Sequence, residues 1–156
     1  MRGGFVGGTF GHEARAVLAA RGLREPQVEL VDFGDDEYTA GRPHPMIEPS
    51  LRDRWIGEAI GDPATSVVLL DVVLGLGAHP RPIDGLLKRI GKRAAANDPP
   101  VIAHVCGTDL DPQGREQIRD RLADAGVYVA ESNAEASSWA ADVDDAAGGP
   151  AAGGAG

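Results

Sequence analysis

Cysteine occurs only once in this 156-residue sequence, as Cys106. A single thiol excludes an internal disulfide framework and leaves no cysteine pair for a zinc knuckle, so an intracellular, cytoplasmic setting is expected. Aromatic residues make up only 4%, which excludes a thick aromatic core and suits a sheet clad by closely packed helices. No stretch approaches the ~20 apolar residues of a membrane span, and the opening MRGGFVGG has no long apolar run of the signal-peptide kind. Cations are scarce as well: the formal charge is −9, and no basic stripe is interleaved with aromatics. Such a chain gains nothing from counterion release at nucleic-acid phosphates, so nucleic acid is excluded as a partner. There is also no G-x-S-x-G elbow, no Ser-His-Asp order, no Walker loop and no G-x-G-x-x-G, which leaves hydrolase and dinucleotide readings without support.

What the sequence does contain is regular alternation. Five short apolar runs recur, at Gly3 to Val6, Val28 to Asp32, Ser66 to Asp71, Val101 to Cys106 and Val127 to Ala130. SVVLLD and VIAHVC are almost continuously apolar, as parallel strands buried on both faces should be. Helical patterns fill the intervals, over Thr9 to Arg21, Ser50 to Ile60, Pro82 to Ala96, Pro112 to Ala125 and Asn133 to Ala141. Thr9, Ser50, Ser132 or Asn133 can cap such helices, Pro82 and Pro112 fit a first helical turn, and Gly22 and Gly126 fit helix stops. This pattern predicts an α/β fold: a three-layer, flavodoxin-like, doubly wound parallel sheet of five strands in the order 2-1-3-4-5. At this length one domain is expected, over residues 1–142. The Gly/Ala/Pro-rich remainder, 143–156, has no apolar face to bury and is expected to be a disordered tail.

In an open sheet of this kind ligands bind at the carboxyl ends of the strands, so the five strand-to-helix turns are the places to search. In the first, Gly7, Gly8 and Thr9 stand where a helix begins, and free backbone N–H groups there suit a phosphate or carboxylate; a tight turn needs the same glycines. The second turn, Phe33 to Pro49, is longer than the usual two to six or so residues and is crowded with charge. It holds Gly34, Asp35, Asp36 and Glu37, then Arg42, whose planar fork suits a carboxylate or phosphate, and His44 between two stiffening prolines. Three adjacent carboxylates do not wrap one ion and do not follow the spaced calcium-loop pattern, so no metal site is expected. The third turn has Gly75 and Gly77, which allow close approach of a ligand to main chain, followed by His79. The fourth and fifth turns add Cys106, Gly107 and Thr108, and Ser132 and Asn133, to the edge of the site. Apolar neighbours make Cys106 an inert thiol rather than a nucleophile, and His104, within a strand, is expected to be structural. A response-regulator receiver would use Asp71 or Thr108 but wants a lysine after the last internal strand, where this sequence reads VAESN.

Taken in order, GFVGGTFGHEA, VDFGDDEYTAGRPHPMIEPSLR, VVLLDVVLGLGAHPRP, PVIAHVCGTDLDPQ and VAESNAEA resemble the C-terminal domain of the FdrA family. The resemblance runs over roughly residues 2 to 140, and its most specific part is GDDEYTAGRPHPMIEP. That family is in turn similar to succinyl-CoA synthetase, and this portion resembles the C-terminal domain of the synthetase β subunit. The resemblance implies that Gly7, Gly8 and Thr9 stabilise a phosphate, and that Gly34 with its loop, Gly75 and Gly77 hold a carboxylate. It implies an acyl-CoA synthetase-like subunit domain or, through relatives that act as the large subunit of an oxamate carbamoyltransferase, a carbamoyltransferase-like one. Arg42 and His44 suit that chemistry, which depends on charge neutralisation and orientation. No cofactor is expected on this chain alone; CoA or carbamoyl phosphate would enter in an assembly with a partner subunit that bears a CoA-binding-type domain. His12, His44, His79 and His104 do not match the phosphohistidine loop of the synthetase α subunit, and no ATP-grasp region is present. A non-catalytic module binding a ligand or another subunit is the alternative reading.

Overall fold

A computed structural model describes residues 1–91 and 98–148. Its elements run β1 (Arg2–Phe5), α1 (Gly8–Ala20), β2 (Glu29–Asp32), α2 (Asp36–Thr39), α3 (Ser50–Gly61), β3 (Val68–Val73), α4 (Asp84–Ile90), β4 (Val101–Cys106), α5 (Arg115–Asp124), β5 (Tyr128–Ala130) and α6 (Asn133–Ala146). The strands pair in parallel in the order β2-β1-β3-β4-β5, the doubly wound arrangement that the alternation predicts.

The two most apolar runs, β3 and β4, form the centre of the sheet and pair over six residues each, Val68 opposite Val101 through Val73 opposite Cys106. Their side chains alternate between two cores. Val68, Leu70, Val72, Ala103 and Val105 face α3, α4 and α5 through Ile56, Leu86, Ile90, Ile118 and Leu122. Leu69 and Ile102 face the other way, with Phe5 and Leu30, toward Ala14, Leu18, Ala136 and Ala140 of α1 and α6. The alanines keep α1 and α6 close to the sheet, so the second core is thin, in keeping with the shortage of aromatics.

Several boundaries differ from expectation, each for a local reason. β3 begins at Val68 rather than Ser66 and ends at Val73, because its pairing with β4 continues for two residues past Asp71; Asp71 therefore lies inside the strand, not at its end. α1 starts at Gly8 with no side-chain cap, so Thr9 is within the first turn. α3 starts at Ser50 without a side-chain cap, and Glu48 accepts its N–H at 3.0 Å instead. α4 begins at Asp84 rather than Pro82; the expected helical stretch 92–96 lies outside the described residues. α5 begins at Arg115 rather than Pro112, because Gly114 at φ 67° breaks the approach to it. The short α2 inside the long second turn has no counterpart in the predicted pattern. The expected stops are present: Gly22 (φ 81°) and Gly126 (φ 79°) take the left-handed conformation that favours glycine.

The last helix runs past residue 142. α6 continues to Ala146, beyond the expected end at 142, because Asp144 is buried and accepts a hydrogen bond from the Ser66 hydroxyl, while Val143 packs on the α1/α6 core. The rest of the expected tail from residue 149 lies outside the described residues.

Leu69 is completely buried beneath α1 and α6. Leu69→Ala removes its methyl groups and leaves a cavity that a tightly packed layer fills poorly, so it should lower the unfolding free energy by about 2–5 kcal/mol. Urea denaturation checks this as a lower midpoint at unchanged slope.

Candidate functional site

The carboxyl end of β1 is held by a buried carboxylate. Asp71, fully buried in β3, accepts the Val6 N–H on Oδ1 at 2.7 Å and the Gly7 N–H on Oδ2 at 2.8 Å. Burial pushes its carboxyl up to about 6, against the opposing pull of the Arg52 guanidinium and of the two backbone N–H groups. Arg52, itself 2% exposed, donates from Nη1 to the Asp71 carbonyl at 3.0 Å and from Nε and Nη2 to Asp53 Oδ1 at 3.2 and 2.9 Å. Burial also raises the Asp53 carboxyl, with Arg52 pulling the other way. A charged network thus runs through the sheet beneath the β1–α1 turn. Sequence reasoning missed its use. A signal was present, since Arg52 stands on the same helical stripe as buried Ile56, Ala59 and Ile60, and Asp71 interrupts an apolar strand.

This network decides which donors remain at the start of α1. The Gly7 amide is committed to Asp71. Gly8 and Thr9 are in the first helical turn, where backbone N–H groups have no acceptor within the helix. They stand at the topological switch point, where β2 and β3 flank β1 and where open sheets bind ligands. A recess of about 150 Å³ opens beside Gly8, lined by His12, Arg15, Asp32 and Asp35. Its electrostatics are mixed. A side chain at Gly8 would begin 2.8 Å from Asp32 Oδ2, so the Asp32 carboxylate sits against the helix start. Asp32 Oδ1 accepts the Gly34 N–H at 2.8 Å, and His12 Nδ1 donates to the Gly8 carbonyl at 2.8 Å.

The long second turn divides its two basic candidates. His44 faces inward: its Nε2 is 3.1 Å from where a Gly34 side chain would start, so Gly34 makes room for it. Its Nδ1 accepts the Met46 N–H at 3.2 Å, which puts the proton of the neutral ring on Nε2. Arg42 instead lines a separate recess of about 300 Å³ with Phe33, Tyr38, Pro45, Leu51 and Arg54. The structure therefore brings His44 to Gly34 but not to Arg42. Burial and nearby carboxylates, Glu37 foremost, raise the Tyr38 phenol.

In the third turn Gly75 (φ 145°) and Gly77 (φ 85°) take conformations that favour glycine. The Gly75 peptide is already engaged on both sides. Its N–H donates to Gln113 Oε1 at 3.2 Å, and its carbonyl accepts from Gln113 Nε2 at 3.0 Å. Gln113 is buried and 38 residues away, and no local pattern marks it for this role. His79 joins the third turn to the second through its N–H, which donates to the Met46 carbonyl at 2.7 Å. Leu76 between the two glycines is 88% exposed, as is Leu110 in the next turn at 96%.

The remaining candidates lie on the fourth and fifth turns. Gly107 (φ 151°) lies against Leu74, and the Thr108 N–H and hydroxyl both donate to Asp111 Oδ2, at 2.6 and 3.2 Å. Ser132 caps α6 by accepting the Glu135 N–H at 3.1 Å. Asn133 is buried and donates to the Phe10 carbonyl and to Glu13. Burial raises the Cys106 thiol, helped by the Asp71 charge, which keeps it protonated. His104 is buried on β4 with its ring edge-to-face on Phe10 at 5.4 Å, and burial lowers its basicity. No group of three or more His, Cys, Asp or Glu among the described residues is arranged to hold a metal ion, and none of their helices is long and apolar enough to cross a membrane.

A family model described as CoA-ligase matches residues 5–143. The uncharacterized protein YahF of Escherichia coli (strain K12) is 35% identical over 156 residues, covering 85% of this chain and 30% of YahF. The chain thus spans less than a third of that relative's length.

The folded-state carboxyl of Asp71 is raised from 3.8 to about 6, so between these values the folded protein binds a proton that the unfolded chain has released. Its contribution is therefore favourable at pH 4 and is lost as pH rises through about 6, by roughly 3 kcal/mol at 1.36 kcal/mol per unit. Asp71→Asn removes that slope and also one of the two acceptors. Urea midpoints from pH 4 to pH 7 should fall more steeply in the native sequence than in Asp71→Asn.

Proposed function

The chain belongs to the CoA-ligase family, and from that premise we propose that it is an FdrA-type subunit domain, acyl-CoA synthetase-like or carbamoyltransferase-like, that holds a small carboxylate or phosphate at the carboxyl edge of its sheet. The observation that carries this reading is the start of α1. Asp71 takes the Val6 and Gly7 amides, and the Gly8 and Thr9 N–H groups that follow, at the positive end of a 13-residue helix, are the donors this reading assigns to the anion. Fixed donors of this kind stabilise an anion without having to reorganise. Asp32, which lines the crevice beside Gly8, also accepts the Gly34 N–H, and the His44 Nε2–H beside Gly34 is a further donor.

The proposed chemistry is stabilisation and orientation rather than covalent catalysis. The described residues near the crevice offer no activated nucleophile: Cys106 has a raised pKa, and Thr108 is tied to Asp111. The reacting group would come from a partner chain bearing a CoA-binding-type domain, with CoA or carbamoyl phosphate entering in that assembly. The 30% span of YahF is consistent with a domain that works beside others. Exposed Leu76 and Leu110 on the same edge suit contact with such a chain.

One observation favours a second reading. The Asp32 carboxylate against Gly8 opposes an anion there, as expected if the edge is a docking surface of a non-catalytic module. Thermal unfolding separates the two. Phosphate, carbamoyl phosphate, oxamate or succinate at ~100 times its dissociation constant should stabilise the chain by about 2.7 kcal/mol. Gly8→Val, which drives a side chain onto Asp32, should abolish the shift. Absence of a shift with every anion supports the docking module. For the first reading, Asp32→Asn should strengthen anion binding about tenfold, since it removes a carboxylate beside the donors.

A further inference from the structure

On the opposite face of the sheet from α1 lies a cleft of about 720 Å³ between α3 and α4. That volume is within the range of small-molecule sites, roughly 300–1,000 Å³. The two helices approach closely beside it. A side chain at Gly85 would collide with the Asp53 carboxylate, and one at Gly57 would press on the Arg89 stem at 3.0 Å, so glycine at both positions sets the spacing of the walls.

The three acids and three cations that line those walls are not paired with one another throughout. Asp53 is paired with Arg52 at 2.9 Å, Asp84 with Arg121 at 2.7 Å, and Glu48 accepts the Ser50 N–H. Lys88 and Arg89 line the same cleft, and among the described residues neither has a carboxylate within ion-pair distance. Both also complement the carboxyl end of α4. That accounts for cations on the last turn, but not for their facing a cavity in which Asp53 and Asp84 already have arginine partners and Glu48 has only an amide donor. His79 is in the wall too, and its Nδ1 accepts the Arg81 N–H at 3.0 Å, which leaves the neutral ring a donor at Nε2.

We propose that the α3–α4 cleft is a second binding site, for a phosphorylated organic anion whose charged end pairs with Lys88 and Arg89 and whose body fills the space toward Ser50 and Pro49. The volume exceeds what an inorganic phosphate occupies, and Lys88 and Arg89 stand next to each other on the last turn of α4. The site is independent of the anion held at α1.

Isothermal titration of the whole chain at low salt tests it, with inorganic pyrophosphate and adenosine 5′-diphosphate as probes. Both should bind saturably, the diphosphate of the nucleoside more tightly than pyrophosphate. Lys88→Glu combined with Arg89→Gln, both exposed positions, should weaken binding at least tenfold. Ser50→Trp should weaken the nucleotide by filling the cleft without changing its charge. Gly8→Val, which removes any binding at the α1 edge, should leave the component lost in the Lys88/Arg89 variant unchanged, which separates this site from that edge. Arg24→Glu, a charge reversal lining a different recess, should do the same. Absence of saturable binding at millimolar probe, equal affinity in the Lys88/Arg89 variant, equal loss in Arg24→Glu, or no preference for the nucleotide each overturns the proposal.

Discussion

The carboxylate of Asp71 fixes the geometry on which the rest of the edge depends. It stands in the middle of the central strand, out of water, and its two oxygens accept the two amides at which β1 ends. Desolvation alone would expel such a charge; two short backbone hydrogen bonds and the buried Arg52 guanidinium offset it. Removing one partner from an arrangement like this strands a buried charge, so Asp71, Arg52 and the Val6–Gly7 turn stand or fall together. The functional consequence is positional. Because Gly7 is held, α1 begins at Gly8, and its first free donors open at the switch point rather than into the core.

The same edge shows why glycine content alone overstates a binding loop. Gly75 has the conformation expected of a ligand loop, yet Gln113 occupies both of its backbone polar groups. Thr108 and Ser132 are likewise spent on Asp111 and on the cap of α6. What remains is a smaller set: the Gly8 and Thr9 amides, His44 turned toward Gly34, and the exposed Leu76. Asp32 tempers the positive end of α1. An anion binding there must displace or share that field, which favours a ligand brought under a covering partner, where lower dielectric strengthens its hydrogen bonds.

The fold is legible in the sequence because its signals are local. SVVLLD and VIAHVC declare buried parallel strands by composition, and Gly22 and Gly126 mark helix ends by the one conformation that other residues avoid. The site is legible only as a set of turns. The partnerships that decide it span long separations: Val6 with Asp71 across 65 residues, Gly75 with Gln113 across 38. No local pattern reports them. Arg42 and His44 show the converse, since two residues apart in a proline-stiffened loop read as one site, yet Arg42 lines a recess while His44 turns toward Gly34. The extension of α6 past 142 is hidden for a similar reason, because Asp144 reads as a tail charge until Ser66 is seen to meet it.

An anion received by the first turn of α1 would perturb the amides it touches, and their chemical shifts report that directly. Titrating isotopically labelled protein with inorganic phosphate and following the nitrogen–proton spectrum gives the answer residue by residue. Saturable shifts of the Gly8 and Thr9 amides, with Gly7 moving little because Asp71 holds it, are the predicted result. Spectra in which Gly8 and Thr9 stay fixed to millimolar phosphate would contradict anion binding there and leave this edge as a surface for a partner chain alone.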